Sequence, residues 1–124
     1  MKAFILDRAR SIRAASKGIL YMLKYEHNAW VHMLATVIVC VTGIFYGLDR
    51  FEWCWIVLAM VAVWSAEALN TALEFLADVA SPDFHPLIEK AKDVAAGGVL
   101  ITSLGSVVIA VLIFGPYITI YFTR

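Results

Sequence analysis

Three long stretches of this chain are nearly free of charge, and they constrain its fold more than any motif does. Asn28 to Leu48 contains no Asp, Glu, Lys or Arg, nor does Val94 to Thr123, and Trp53 to Ala77 carries only Glu67 and Glu74. A bilayer-spanning helix needs about 20 predominantly apolar residues, and each run supplies them. In lipid the backbone must satisfy its own hydrogen bonds, which at these lengths favours helices over barrel strands. The sequence therefore predicts an all-α integral membrane protein, a single domain over 1–124 with transmembrane helices near 30–48, 53–75 and 97–120. Composition agrees, since 62% of the 124 residues are hydrophobic and 16% charged, against about half and about a quarter in a soluble domain. Disorder, a basic nucleic-acid binder and a disulfide-stapled secreted domain are excluded, and no room remains for a separate soluble catalytic module.

Basic residues set the expected orientation. Lys2, Arg8, Arg10, Arg13, Lys17 and Lys24 precede the first span, Lys90 and Lys92 lie between spans two and three, and Arg50 and Arg124 are left for the other side. Positive residues stay inside, so the N-terminus and second loop are expected in the cytoplasm and the Gly47-Leu48-Asp49-Arg50 turn and C-terminus outside. Trp30, Trp53, Trp55, Tyr117 and Tyr121 fall near span ends, where amphipathic rings favour the headgroup level. The segment 1–27 reads as an amphipathic surface helix. Ile5, Ile12, Ile19 and Leu23 line one side, and Arg10, Arg13, Lys17 and Lys24 the other. Gly18 is a position where this helix is open to a break.

The stretch from Glu67 to Glu74 carries the chemistry. Glu67, Asn70, Thr71 and Glu74 are spaced i, i+3, i+4 and i+7, so all four project from one helix face. A span entered near Trp53 reaches its far interface about 20 residues later, which leaves Glu67 about a turn inside the hydrocarbon and Glu74 at the headgroups. An ionisable residue at that depth faces protein or water and marks a functional site. Glu26, just before span one, is at the depth of Glu74, and two carboxylates so matched suit a hard cation such as Mg²⁺. Lys92 and Asp93 precede the small residues that open span three, and are equally readable as phosphate and cation contacts or as a solvated helix start. No Gly-rich phosphate loop is present. His27 and His32 do not share a helix face, and Cys40 and Cys54 suggest neither a metal site nor a disulfide.

These residues together carry a resemblance. Glu67-Ala-Leu-Asn-Thr-Ala-Leu-Glu74, then His85-Pro, then Lys90-Ala-Lys-Asp-Val-Ala-Ala-Gly-Gly-Val-Leu100 resemble the prokaryotic diacylglycerol kinase family, which includes the similar undecaprenol kinases. The resemblance covers nearly the whole chain. It implies a homotrimer of three-span subunits with active sites shared between neighbours, transferring the γ-phosphate of ATP, with Mg²⁺, to a membrane lipid alcohol in the bacterial plasma membrane. On matching positions, Glu67 is then the expected catalytic base and Asn70 its positioning partner. Glu26 and Glu74 are the expected metal ligands. Lys92, Asp93, Asp83, Phe84 and His85 are the expected nucleotide contacts, and Glu67 and Ala96 border the lipid substrate.

The pattern from His85 to Gly97 is closer to the undecaprenol kinases, so undecaprenol is expected ahead of diacylglycerol as acceptor. A reading from another class is an oligomeric ion pathway lined by Glu67, Asn70 and Glu74; it does not account for Lys92-Asp93 beside the cytoplasmic carboxylates.

Overall fold

A computed structural model describes the chain over residues 1–122, apart from the side chains at 2, 3, 121 and 122. The side chains of Lys2 and Tyr121, and Arg124 as a whole, used above for orientation and anchoring, lie outside the described residues. Four helices make up the chain: α1 (Lys2–Tyr25), α2 (His27–Tyr46), α3 (Arg50–Ala80) and α4 (Pro86–Phe122). The last three are long and apolar enough to cross a membrane, as the uncharged runs predict. All three extend beyond the expected spans at the end where Glu26 sits. Hydropathy marks only the lipid-immersed part of a helix, and backbone hydrogen bonding carries α3 and α4 on into the polar zone. At 1.5 Å per residue, the 31 residues of α3 reach about 46 Å, well past a hydrocarbon core of about 30 Å.

The connections differ at the two ends. Between α1 and α2 only Glu26 leaves the helical conformation, with its N–H still bonded to the Met22 carbonyl at 2.9 Å. α1 itself runs unbroken through Gly18. Between α2 and α3 the turn is locked from both sides. Gly47 adopts φ 69°, ψ 47° and donates its N–H to the carbonyls of Gly43 and Ile44, a left-handed helix ending that a side chain would strain. Asp49 then accepts from the N–H groups of Phe51 and Glu52 at 2.7 and 2.9 Å, and the Glu52 carboxylate accepts from the Asp49 N–H at 2.8 Å. Between α3 and α4, Ser81 donates to the Asp83 carbonyl at 2.8 Å and the Leu87 N–H donates to His85 Nδ1 at 3.2 Å. Pro86 opens α4 where its missing N–H costs nothing.

α3 is the spine: α4 packs along most of it, and α2 and α1 touch it over shorter lengths. The apolar core gathers at the Gly47 end, where Leu48, Ile56 and Phe114 are buried against Tyr46, Trp53 and Tyr117. Gly43 lets the Trp53 ring lie against the α2 backbone; a Cβ there would stand 2.9 Å from the indole. Trp64 Nε1 donates to Thr36 Oγ1 at 3.1 Å, tying α3 to α2, and the Tyr117 hydroxyl donates to Glu52 at 2.7 Å. Outside this core, Leu34, Ile44, Phe45, Val61, Leu104 and Leu112 are exposed. Outward apolar side chains over three long helices are what a lipid environment demands. α1 docks by its C-terminal turns, where Met22 is buried, while Ile5, Ile12 and Ile19 stay exposed on the single chain.

Candidate active site

The polar face of α3 points into the bundle. Glu67 is fully buried, and Asn70 and Thr71 nearly so. The Thr71 hydroxyl donates to the Glu67 carbonyl at 2.9 Å, so it serves the helix and leaves the carboxylate alone. Asn70 Nδ2 donates to Glu74 Oε1 at 3.0 Å, which fixes the amide with its Oδ1 turned away from that bond. That oxygen is buried without a partner, as are both carboxylate oxygens of Glu67. His32 on α2 brings Nε2 to 3.7 Å from Glu67 Oε2, too far for a hydrogen bond. His32 Nε2 and Ser103 Oγ are the remaining buried side-chain polar atoms lacking a partner among the described residues. His32, Glu67, Asn70 and Ser103 all line one cavity of about 250 Å³, together with Ala96 and Val99. Buried polar groups are almost always satisfied, so five orphaned atoms around one space mark a place for a polar ligand.

A charged cluster lies one turn along α3 from this cavity, linked to it by the Asn70–Glu74 bond, at the end of the bundle where α3 ends and α4 begins. Glu26, from the α1–α2 junction, lies close enough to Glu74 for the two carboxylates to interact. Partial burial, and then the Glu74 charge, push the Glu26 carboxyl above its ordinary value of 4.5, opposed by His27 and Lys92. Two repelling carboxylates with a lysine within electrostatic reach are suited to hold a cation. No set of three or more His, Cys, Asp or Glu side chains with metal-site geometry occurs among the described residues. A cation here would take two protein carboxylates and complete its shell from water or phosphate oxygens. Lys92 Nζ lies 3.1 Å from Asp78 Oδ1.

The expected residues thus divide into two groups. Glu67, Asn70 and Ala96 line the cavity, and Glu26, Glu74 and Lys92 lie within electrostatic reach of one another beside it, within one chain. Asp83, Phe84 and His85 lie exposed in the α3–α4 turn, and Asp93 is exposed on α4. His32, Ser103 and Asp78 were missed by sequence reasoning. Asp78 had a readable signal, one turn after Glu74 on the same face. His32 and Ser103 had none, because a histidine alone in an apolar run, and a serine between Thr102 and Leu104, read as packing residues until α2 and α4 are packed on α3.

A fully buried, unpartnered carboxylate inside a bundle of three helices long and apolar enough to span a membrane, beside charges suited to a cation, fits one class: a membrane-embedded enzyme. Comparison with known proteins gives the class its identity. The profile described as prokaryotic diacylglycerol kinase matches residues 13–114. The chain is 36% identical over 107 residues to the undecaprenol kinase of Bacillus subtilis, covering 86% of this chain and 87% of that one. It is 31% identical over 100 residues to a diacylglycerol kinase of Synechocystis, 80% of this chain and 57% of that one. It is 25% identical over 118 residues to a diacylglycerol kinase of Helicobacter pylori, 90% of this chain and 89% of that one. The chain belongs to the prokaryotic diacylglycerol kinase family and is a membrane lipid kinase. The ion-pathway expectation finds no support among these relatives.

Proposed function

We propose that the chain phosphorylates undecaprenol at the cytoplasmic face of the bacterial plasma membrane, using ATP with Mg²⁺. The observation that carries this reading is the cavity of unpartnered buried polar atoms around Glu67. It is sized for a small polar head and opens into apolar surroundings, as a long-chain alcohol with one hydroxyl requires. The preference over diacylglycerol rests on the similarity to an undecaprenol kinase over most of the chain. The orientation rests on the basic residues, eight of which lie toward the Glu26 end. α1 then lies in the interface with its basic side toward headgroups and cytosol. The resemblance to the family is the support for assembly as a homotrimer, in which a neighbouring subunit would cover the open side of the cavity.

In the mechanism, the alcohol enters with its hydroxyl against Glu67, bordered by Ala96. Glu67 accepts the hydroxyl proton as the alcohol oxygen forms a bond to the γ-phosphorus and the bond to the β–γ bridging oxygen breaks, releasing ADP. Asn70, held by its bond to Glu74, keeps one polar edge of the cavity fixed. Lys92 moves from Asp78 to the phosphates, and Asp93, Asp83, Phe84 and His85 are assigned to the nucleotide. Glu26 and Glu74 would hold Mg²⁺, which supplies charge neutralisation on the phosphate oxygens. Positioning and electrostatics account for most of the rate in this chemistry, so little covalent work falls to the protein.

The test is a transfer assay in mixed micelles, with γ-labelled MgATP and undecaprenol or diacylglycerol offered in parallel. Label chiefly in undecaprenyl phosphate is the expected outcome. Label chiefly in phosphatidic acid overturns the substrate choice and leaves the chemistry; no label in either overturns both.

A further inference from the structure

The geometry points to His32 as the residue that holds the acceptor alcohol, its Nε2–H donating to the hydroxyl oxygen while the hydroxyl proton is directed at Glu67. This rests on the reading of Glu67 as base, and adds to it a residue from a different helix.

Three observations carry it. First, His32 and Glu67 are within ion-pair reach, yet no hydrogen bond joins them. His32 Nε2 and Glu67 Oε2 are 3.7 Å apart, with no other partner for either atom among the described residues. An oxygen in the cavity that both residues line, set to one side of the line between the two atoms, can reach each at ordinary hydrogen-bond length. A hydroxyl is the smallest group that answers both, since it accepts from a ring N–H and donates to a carboxylate. Second, the ring is held. It packs edge-to-face on Trp64 with centroids 6.3 Å apart, and Trp64 is itself fixed by its 3.1 Å bond to Thr36 on the helix that carries His32. Third, His32 stands at a boundary. It lines the polar cavity and also the neighbouring apolar groove of about 320 Å³ along α2, α3 and α4. A chain bearing one terminal hydroxyl would pass from one to the other beside this ring. As the hydroxyl loses its proton to Glu67, charge grows on the oxygen that faces the ring N–H, so the bond strengthens toward the transition state.

The test is steady-state kinetics of His32→Ala and His32→Gln with undecaprenol and ATP varied separately. The Ala variant is expected to lose about 10- to 100-fold in kcat/KM for the lipid, the size of one lost hydrogen bond to a charge-bearing group, with KM for ATP within about twofold. Gln restores a donor near the Nε2 position and should recover most of the loss. A His32→Ala enzyme within about twofold of wild type for the lipid, an equal loss toward ATP, or no recovery with Gln overturns the assignment. Should His32→Ala fail to fold, ¹⁵N-histidine spectra of the wild type decide. A short isoprenol should shift the His32 resonance where the matching hydrocarbon does not, and an equal response to both refutes the contact. A wild type that phosphorylates neither lipid defeats the underlying reading and this one with it. Normal wild-type turnover beside an indifferent His32→Ala defeats this one alone.

Discussion

Replacing Glu67 by Gln should make the protein more stable and nearly inactive. The side chain is 0% exposed and neither carboxylate oxygen has a hydrogen-bond partner. A buried unsatisfied polar group costs about 1–3 kcal/mol, more when charged. The amide keeps the shape and removes the charge, so a gain of about 1–3 kcal/mol is expected. Activity moves the other way. Gln accepts no proton from the alcohol, and loss of a general base lowers kcat by a factor of about 10²–10⁴, or about 3–5 kcal/mol in the barrier. Stability would be read by SDS titration of the helical signal in mixed micelles, and activity by label transfer on the same preparation. Stability and function opposed at one residue mark a site kept strained for its chemistry. Destabilisation beyond about 1 kcal/mol would mean that the carboxylate is paired for structure, and a kcat within tenfold of wild type would remove it as base.

Other consequences are as direct. Gly43→Ala puts a methyl 2.9 Å from the Trp53 ring and 3.0 Å from Leu48; overpacking of this kind costs about 1–3 kcal/mol, and thermal melts should show it with turnover per folded enzyme unchanged. Lys92→Met should raise KM for ATP about tenfold or more with KM for the lipid unmoved, and a change confined to the lipid would reassign the residue. The Glu26 carboxyl binds its proton more tightly folded than unfolded, so in chelator the protein should lose stability as pH rises from about 4.5 through the raised value. Mg²⁺ needs the ionised form, so the melting temperature it adds should be larger at pH 8 than at pH 5, and Glu26→Gln should abolish the difference; an equal Mg²⁺ effect at both pH values counts against the site.

The three spans were legible because lipid imposes a length and an absence of charge that a sequence displays openly. The Glu67-to-Glu74 face was legible for a related reason, since helical spacing places Glu67, Asn70, Thr71 and Glu74 together before any packing is known. The helix ends were not. Charged residues such as Lys90 and Asp93 look like a loop to a hydropathy reading, yet backbone hydrogen bonds run α4 from Pro86 through them. Nor were the partners contributed by other helices. Nothing in His32 or Ser103 separates them from packing residues, because their meaning lies in an approach of α2 and α4 to α3 that local sequence does not encode. Gly18 made a break in α1 plausible, but one glycine costs only about 1 kcal/mol and the neighbouring turns carry the helix across it.

The locked turn at Gly47 and Asp49 bears on how such a bundle would work mechanically. One end is clamped by a left-handed glycine, a reciprocal cap and the Trp53–Gly43 contact, while the other joins its helices through Glu26 and the Ser81–His85 segment. Asp49 and Glu74 are about 37 Å apart along α3, so the chain resembles tweezers riveted at one tip. A tilt of about 3° at the rivet displaces the free tip by about 2 Å, when a misplacement of about 1 Å can cost a hundredfold in rate. Such a tilt moves α2 against α3, and so acts on the space between His32 and Glu67, whose Nε2 and Oε2 atoms stand 3.7 Å apart.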